Sequence, residues 1–105
     1  MSDRRIRVIA KRPDSDWYVT NLSDNLKNYQ NFVEGPIEVV GMFEDHVIVC
    51  NENGRLIGLE PNCEIAGIDF VGNIFLVGTK DDEFDDAKIS LKTWKGLIGQ
   101  VNALC

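Results

Sequence analysis

The stretch Gly35–Asn62, GPIEVVGMFEDHVIVCNENGRLIGLEPN, holds two runs rich in β-branched apolar residues on either side of Asn51-Glu52-Asn53-Gly54. Asn and Gly both tolerate the positive φ that a tight I′ turn demands, so an Asn-Gly pair between such runs signals a β-hairpin. The spacing predicts strands at Ile37–Phe43, His46–Cys50 and Arg55–Leu59. The centre of the chain is thus expected to be antiparallel sheet.

Toward the N-terminus, Gly35-Pro36 stops a helical pattern in which Leu22, Leu26, Tyr29, Phe32 and Val33 recur behind Asn21 as N-cap. Trp17–Thr20 reads as a short extended piece, and Pro13-Asp14-Ser15-Asp16 as a turn. Arg5–Lys11 alternates as a first strand, with Ile6, Val8 and Ala10 on one side and Arg5, Arg7 and Lys11 on the other, Ile9 among them. One side is then core and the other cationic.

Toward the C-terminus, Pro61–Gly72 carries the apolar Ile65, Ile68, Phe70 and Val71 but also a proline and two glycines, and reads as a loop or a bulged crossing. A strand at Asn73–Thr79 and an acidic loop, Asp81–Asp86, follow. Ser90 then caps a last helix with Leu91, Trp94, Leu97, Ile98 and Val101 on one face, which packing must hold because Gly96 and Gly99 weaken it. No repeat or linker divides the chain, so residues 1–105 are expected to form one domain. The predicted class is α+β, a small, mainly antiparallel sheet of about five strands with two helices in the order β-α-β-β-β-β-α.

A chain of 105 residues, 44% apolar and 27% charged, has the composition of an ordinary globule and can bury a core without a staple. Its N-terminus, MSDRRIRVIAKRPD, has too short an apolar run for a signal-peptide core, so a cytoplasmic location is expected. Three cysteines, Cys50, Cys63 and Cys105, are odd in number and lack CxxC spacing, which argues against a disulfide framework or a zinc site. Net charge is −6, with six basic and five acidic residues in 1–35 against five basic and twelve acidic in 36–105. An acidic body repels duplex nucleic acid within a Debye length, while the basic end remains a local anion-binding surface.

Each candidate functional residue has a structural reading beside the chemical one. Arg5, Arg7 and Lys11 form either a solvated face or a grip on a diphosphate, since guanidinium forks hold phosphate oxygens bidentately. Trp17 and Tyr18 follow that strand and are placed to stack on a base, whereas Trp94 is spaced as core. Asn51, Glu52 and Asn62 supply either turn hydrogen bonds or a polar rim that reads a ligand's edge. His46, the sole histidine, stands at a strand start beside Glu44 and Asp45 and reads as turn-edge solvation, with no inferred partner for general-base work. Cys50 and Cys63 read as inert strand thiols, because nothing nearby lowers a thiol pKa. Asp81–Asp86 fails as a calcium loop, since the sixth and twelfth positions counted from Asp81 are Asp86 and Lys92 rather than glycine and glutamate.

The amphipathic helix ending Val33-Glu34-Gly35, then PIEVV, VIVCNENGRLIGLEPN, FLVGT and a last Ser-Leu helix, resembles domain-of-unknown-function family 3846 from about Asn21 to Val101. Asn51, Glu52, Gly54, Pro61 and Asn62 carry the resemblance best. It implies a small cytosolic product of bacteriophages, plasmids and their bacterial hosts, with no activity assigned, and it leaves the basic first strand and the acidic loop outside the recognisable pattern. The expected function is that of a non-enzymatic sponge, sequestering a small nucleotide-derived signal of host anti-phage defence. The alternative is an inhibitor or adaptor occluding a host defence enzyme, nuclease or CRISPR effector. Neither reading needs a cofactor or a membrane, and a homodimer or larger homo-oligomer is expected because a small domain makes deeper pockets between copies than within itself.

Overall fold

The computed structural model describes residues 4–100. In chain order the elements are β1 (Arg5–Lys11), β2 (Tyr18–Ser23), α1 (Leu26–Val33), β3 (Ile37–Phe43), β4 (His46–Asn51), β5 (Pro61–Ile65), β6 (Ile68–Val71), β7 (Ile74–Lys80), β8 (Glu83–Asp85) and α2 (Leu91–Gln100). The main sheet has the order β2-β1-β7-β4-β3, with β8 also paired to β7, and β5-β6 form a separate hairpin. Every pairing is antiparallel. The α+β class and the mainly antiparallel sheet are as the sequence predicts.

Side chains alternate across a strand, so each strand of a sheet covered on both sides must feed two cores. Ile6, Val8 and Ala10 of β1 join Val49, Phe75 and Val77 in a core closed by Tyr29 and Val33 of α1. On the opposite face Ile9, Ile48 and Leu76 meet Cys63, Ile65 and Phe70 of the β5-β6 hairpin, together with Trp17 and with Trp94 and Ile98 of α2. The central strand β7 is therefore apolar on both sides, with Ile74–Val77 entirely buried.

Several boundaries depart from expectation, each for a local reason. Arg55–Leu59 is not a strand. Its backbone folds into turns closed by Ile57 N–H to Asn53 O (3.1 Å) and Leu59 N–H to Gly54 O (2.9 Å). Adjacent Leu56 and Ile57 break the period of two that a half-buried strand needs. Gly54 does not take a positive φ; it is small because a Cβ there would lie 2.6 Å from Val71 Cγ2. The tight hairpin turns fall elsewhere. Ala66-Gly67 joins β5 to β6 and Asp81-Asp82 joins β7 to β8, with positive φ at both central residues of each, the pattern of a I′ turn. Pro61–Gly72 is thus a hairpin rather than a loop, and the acidic loop is a two-residue turn followed by a short strand.

The first helix starts later than its apolar spacing suggests. β2 extends through Ser23, Leu22 packs toward α1 from the sheet, and the N-cap is Asn25, whose side chain accepts the Asn28 N–H at 2.9 Å. Glu34 rather than Gly35 takes the left-handed cap conformation. Gly35 is needed instead because a Cβ would lie 2.6 Å from Asn51 Nδ2. Ser90 does cap α2, accepting the Thr93 N–H at 3.0 Å, and Trp94 and Ile98 face the core. Val101 and Cys105 lie outside the described residues.

Two glycine substitutions test this packing with opposite signs. A Cβ at Gly78 would sit 2.3 Å from the backbone oxygen of Asp86, and backbone cannot move aside. At Gly96, inside α2, nothing lies within 4 Å. Urea unfolding of Gly78→Ala should show a loss of about 2 kcal/mol or more, whereas Gly96→Ala should gain about 0.5–1 kcal/mol.

Candidate functional site

The predicted alternation along β1 is correct, but the side expected to be cationic surface is roofed by other parts of the chain. Arg7 Nη1 donates to the carbonyls of Ala87 and Ile89, both at 2.8 Å, and its backbone N–H donates to Asp86 Oδ1 at 2.7 Å. Lys11 is 6% exposed, and its Nζ donates to Asn62 Oδ1 at 2.8 Å. Asn62 Nδ2 returns bonds to the carbonyls of Lys11 (3.0 Å) and Gly72 (2.7 Å). Only Arg5 of the three remains exposed, with Nη2 at 3.3 Å from Asn21 O. The heads are thus parcelled out among protein acceptors rather than gathered on one anion.

The aromatic pair is divided between faces. Trp17 is buried edge-on against Trp94, with ring centroids 5.4 Å apart, while Tyr18 packs toward the core beneath α1. No shared stacking platform results.

Asn51 and Asn73 close the C-terminal end of α1. A helix leaves its last carbonyls without intrahelical partners. Asn51 Nδ2 donates to Val33 O and Asn73 Nδ2 to Phe32 O, each at 3.0 Å. Asn51 Oδ1 also accepts the Asn53 N–H at 2.7 Å, the turn chemistry read from sequence. Asn73 was not singled out there, and its signal is weak: an Asn at a strand start after a glycine. Glu52 is exposed.

His46 is not solvated at a turn edge but buried, stacked on Phe43 with centroids 4.6 Å apart. The Lys88 N–H donates to its Nε2 at 2.9 Å, so the ring proton sits on Nδ1 and points at Glu44 O, 2.8 Å away. Burial, reinforced by the Glu38 carboxylate, pushes the Cys50 thiol up to about 11. At neutral pH it is protonated, the opposite of an activated nucleophile. Within the acidic segment, Asp85 pairs with Arg4 and Lys88, each at 2.7 Å. The Lys88 hydrogen bond first, then the Asp86 backbone N–H, lower its carboxyl to about 2. Among the described residues, no group of three or more His, Cys, Asp or Glu side chains is arranged to hold a metal ion, and no helix is long and apolar enough to cross a membrane.

What stays open lies on another flank. A cleft of about 250 Å3 runs between β3-β4, the Asn51–Leu56 segment and the β5-β6 hairpin, lined by Glu38, Val40, Cys50, Glu52, Arg55, Leu56, Asp69 and Phe70 among others, with Arg55 Nη2 donating to Asp69 O at 2.9 Å. Its carboxylates at Glu38, Glu52 and Asp69 have no ion-pair partner among the described residues. Beside it Leu56 is 87% exposed and Ile57 59%. Sequence reasoning assigned these two to a strand and so overlooked them; two adjacent large apolar residues in a stretch without alternation were the available signal.

Two measurements probe the internal bonds. Asn62→Leu removes the acceptor of a buried ammonium and the donor to two carbonyls, and should lower stability by about 1–3 kcal/mol in denaturant titration. For Asp85, whose folded pKa is depressed, the stabilisation is present above the ordinary carboxylate value and lost as pH falls toward about 2. The stability difference between the native chain and Asp85→Asn should therefore be full at neutral pH and close across that acid window.

A family model described as Domain of unknown function (DUF3846) matches residues 6–97. The match takes in most of β1 and the whole acidic segment, both of which the resemblance read from sequence had left out. No curated protein and no solved structure matches the chain. With nearly its whole length covered, the chain belongs to the DUF3846 family.

Proposed function

We propose that this chain acts by holding a protein partner and making or breaking no covalent bond itself, so that its output is occlusion of that partner. One observation carries the reading: Leu56 and Ile57, 87% and 59% exposed, stand on a hydrogen-bonded turn beside an acidic cleft. Adjacent large apolar residues exposed on a fixed backbone, rimmed by polar groups, form the kind of patch that marks a protein-interaction site. In the phage, plasmid and bacterial setting that the resemblance implies, a host defence enzyme, nuclease or CRISPR effector suits the role of partner.

Of the two readings raised by the sequence, nucleotide sequestration draws less support. Its cations and amides at Arg7, Lys11, Asn51 and Asn62 are bonded within the protein. A ligand seated there would first have to displace those bonds.

The test pairs a variant with a ligand panel. Leu56→Ser with Ile57→Ser should leave unfolding stability within about 0.5 kcal/mol of the native chain. The same change should remove whatever protein accompanies the natively isolated chain in intact-mass measurements, by a loss of about 2 kcal/mol or more. Cyclic dinucleotides, cyclic ADP-ribose isomers and ordinary nucleotides should leave the melting temperature unmoved. A nucleotide at a hundredfold its Kd would add about 2.7 kcal/mol, and a rise of that size returns the function to sequestration.

A further inference from the structure

We infer that the outer edge of β3 is a strand-addition site for an extended segment of a partner protein carrying Lys or Arg at alternate positions. The inference rests on the protein-holding reading and supplies the partner's chemistry.

Two hydrogen bonds set the phase of the ladders. Glu52 N–H donates to Pro36 O and Thr79 N–H to Asp45 O, both at 2.8 Å. The register pairs Glu38 with Cys50 and Val40 with Ile48 on one side of β4, and Val47 with Val77 and Val49 with Phe75 on the other. Hydrogen-bonded pairs alternate along an antiparallel ladder. From both directions, then, β4 turns Ile48 and Cys50 toward β3, and β3 turns the peptide groups of Glu38 and Val40 inward. Those of Ile37, Val39 and Gly41 point away from the sheet, and among the described residues β3 is its last strand on that side.

Soluble proteins blunt such edges with lysine, proline or bulges. The strand IEVVGMF has no Lys or Pro, and its irregularity lies between Gly41 and Phe43, leaving Ile37–Gly41 regular. Val39 is 47% exposed there. An added strand would send alternate side chains to the two faces, one row beside Val39 and the other over the cleft.

The cleft and the surrounding charge select the occupant. Glu38, Glu52 and Asp69 stand with Arg55, Val40, Leu56 and Phe70 in one concavity; the single guanidinium is engaged with the Asp69 carbonyl at 2.9 Å, so three carboxylates to one cation leave room for a long basic side chain to lay its stem on the apolar wall and its head among them. From Asn28 to Gly54 the chain has five acidic residues, Glu34, Glu38, Glu44, Asp45 and Glu52, and no Lys or Arg. Like charges juxtaposed across an interface are unfavourable, so the same acidity disfavours a second β3 as the added strand.

The full chain titrated with a synthetic peptide alternating lysine and valine, against one alternating glutamate and valine, tests this. Hydrogen exchange should show the amides of Ile37, Val39 and Gly41 gaining protection with the lysine peptide. By anisotropy that peptide should bind at least about tenfold tighter than the other and weaken as salt rises. Val39→Pro removes an outward N–H without touching the ladder to β4, so it should keep its fold and lose the peptide. Should Val39→Pro unfold, the triple change Glu38→Gln, Glu52→Gln and Asp69→Asn at exposed positions should weaken binding in its place. Equal affinity for the two peptides, protection confined to β2, or undiminished binding by the folded variant overturns the inference. So does a dimer in sedimentation whose β3 amides are already protected without peptide. If these fail while Leu56→Ser with Ile57→Ser still strips the co-isolated protein, the mode of docking is wrong and the protein-holding reading stands.

Discussion

Where covering layers close over an inner strand of a sheet, a charged side chain there loses its water, and that constraint organises this molecule. Lys11 lies on β1 with both neighbouring strands in place, and its ammonium is almost wholly buried. An unpaired charge there would be costly, so the carboxamide of Asn62 must stand opposite it. Once it does, its amide nitrogen reaches the carbonyls of Lys11 and Gly72, and the β5-β6 hairpin is fastened to the sheet. Arg7 does the same for the segment leading into α2, through the carbonyls of Ala87 and Ile89. Asn51 and Asn73 tie down α1 on the other side. Each covering layer is thus held by apolar packing plus a polar side chain from the sheet or its cover.

This explains why residues that look functional in the sequence are structural here. Periodicity shows which side of a strand a residue faces, and the assignment of Ile6, Val8 and Ala10 opposite Arg5, Arg7 and Lys11 was sound. It does not show what lies over that side. The cover is long-range: Asn62 is distant in sequence from Lys11, and Ala87 from Arg7. Trp17 and Tyr18 are adjacent, and neighbouring side chains of an extended piece face opposite ways; here they enter opposite cores, which separates them as a stacking pair.

The fold was more legible than the site because its signals are local. Gly35-Pro36 after an apolar-periodic run, Ser90 ahead of Leu91 and Trp94, and the β-branched runs at Ile37–Phe43 and His46–Cys50 each announce themselves within a few residues. The turns and caps lie away from their expected positions because one residue type serves two purposes. Gly54 and Gly35 are small because Val71 and Asn51 come close, not because a turn or a cap needs positive φ. Conversely, Asp81 and Asp82 occupy a I′ pattern that usually favours Asn or Gly, so in sequence an aspartate pair signals charge more plainly than turn.

The two ends of the sheet differ in a way that bears on how the chain can work. β2, with the sequence YVTNLS, borders exposed Arg5 and carries several polar side chains along its length. β3 is mostly apolar, has a single charged residue, and lies next to exposed Leu56 and Ile68. An unpaired strand of that composition is a template for adventitious pairing, and selection for solubility alone would place a lysine or proline on it. The fold has ample polar residues, and several of them are committed to fastening its layers. Along Ile37–Gly41 this edge carries neither lysine nor proline, and the carboxylates around it oppose the approach of a like-charged copy without blocking the backbone. A backbone left competent but guarded by charge retains the hydrogen-bonding groups that a partner of opposite charge can use.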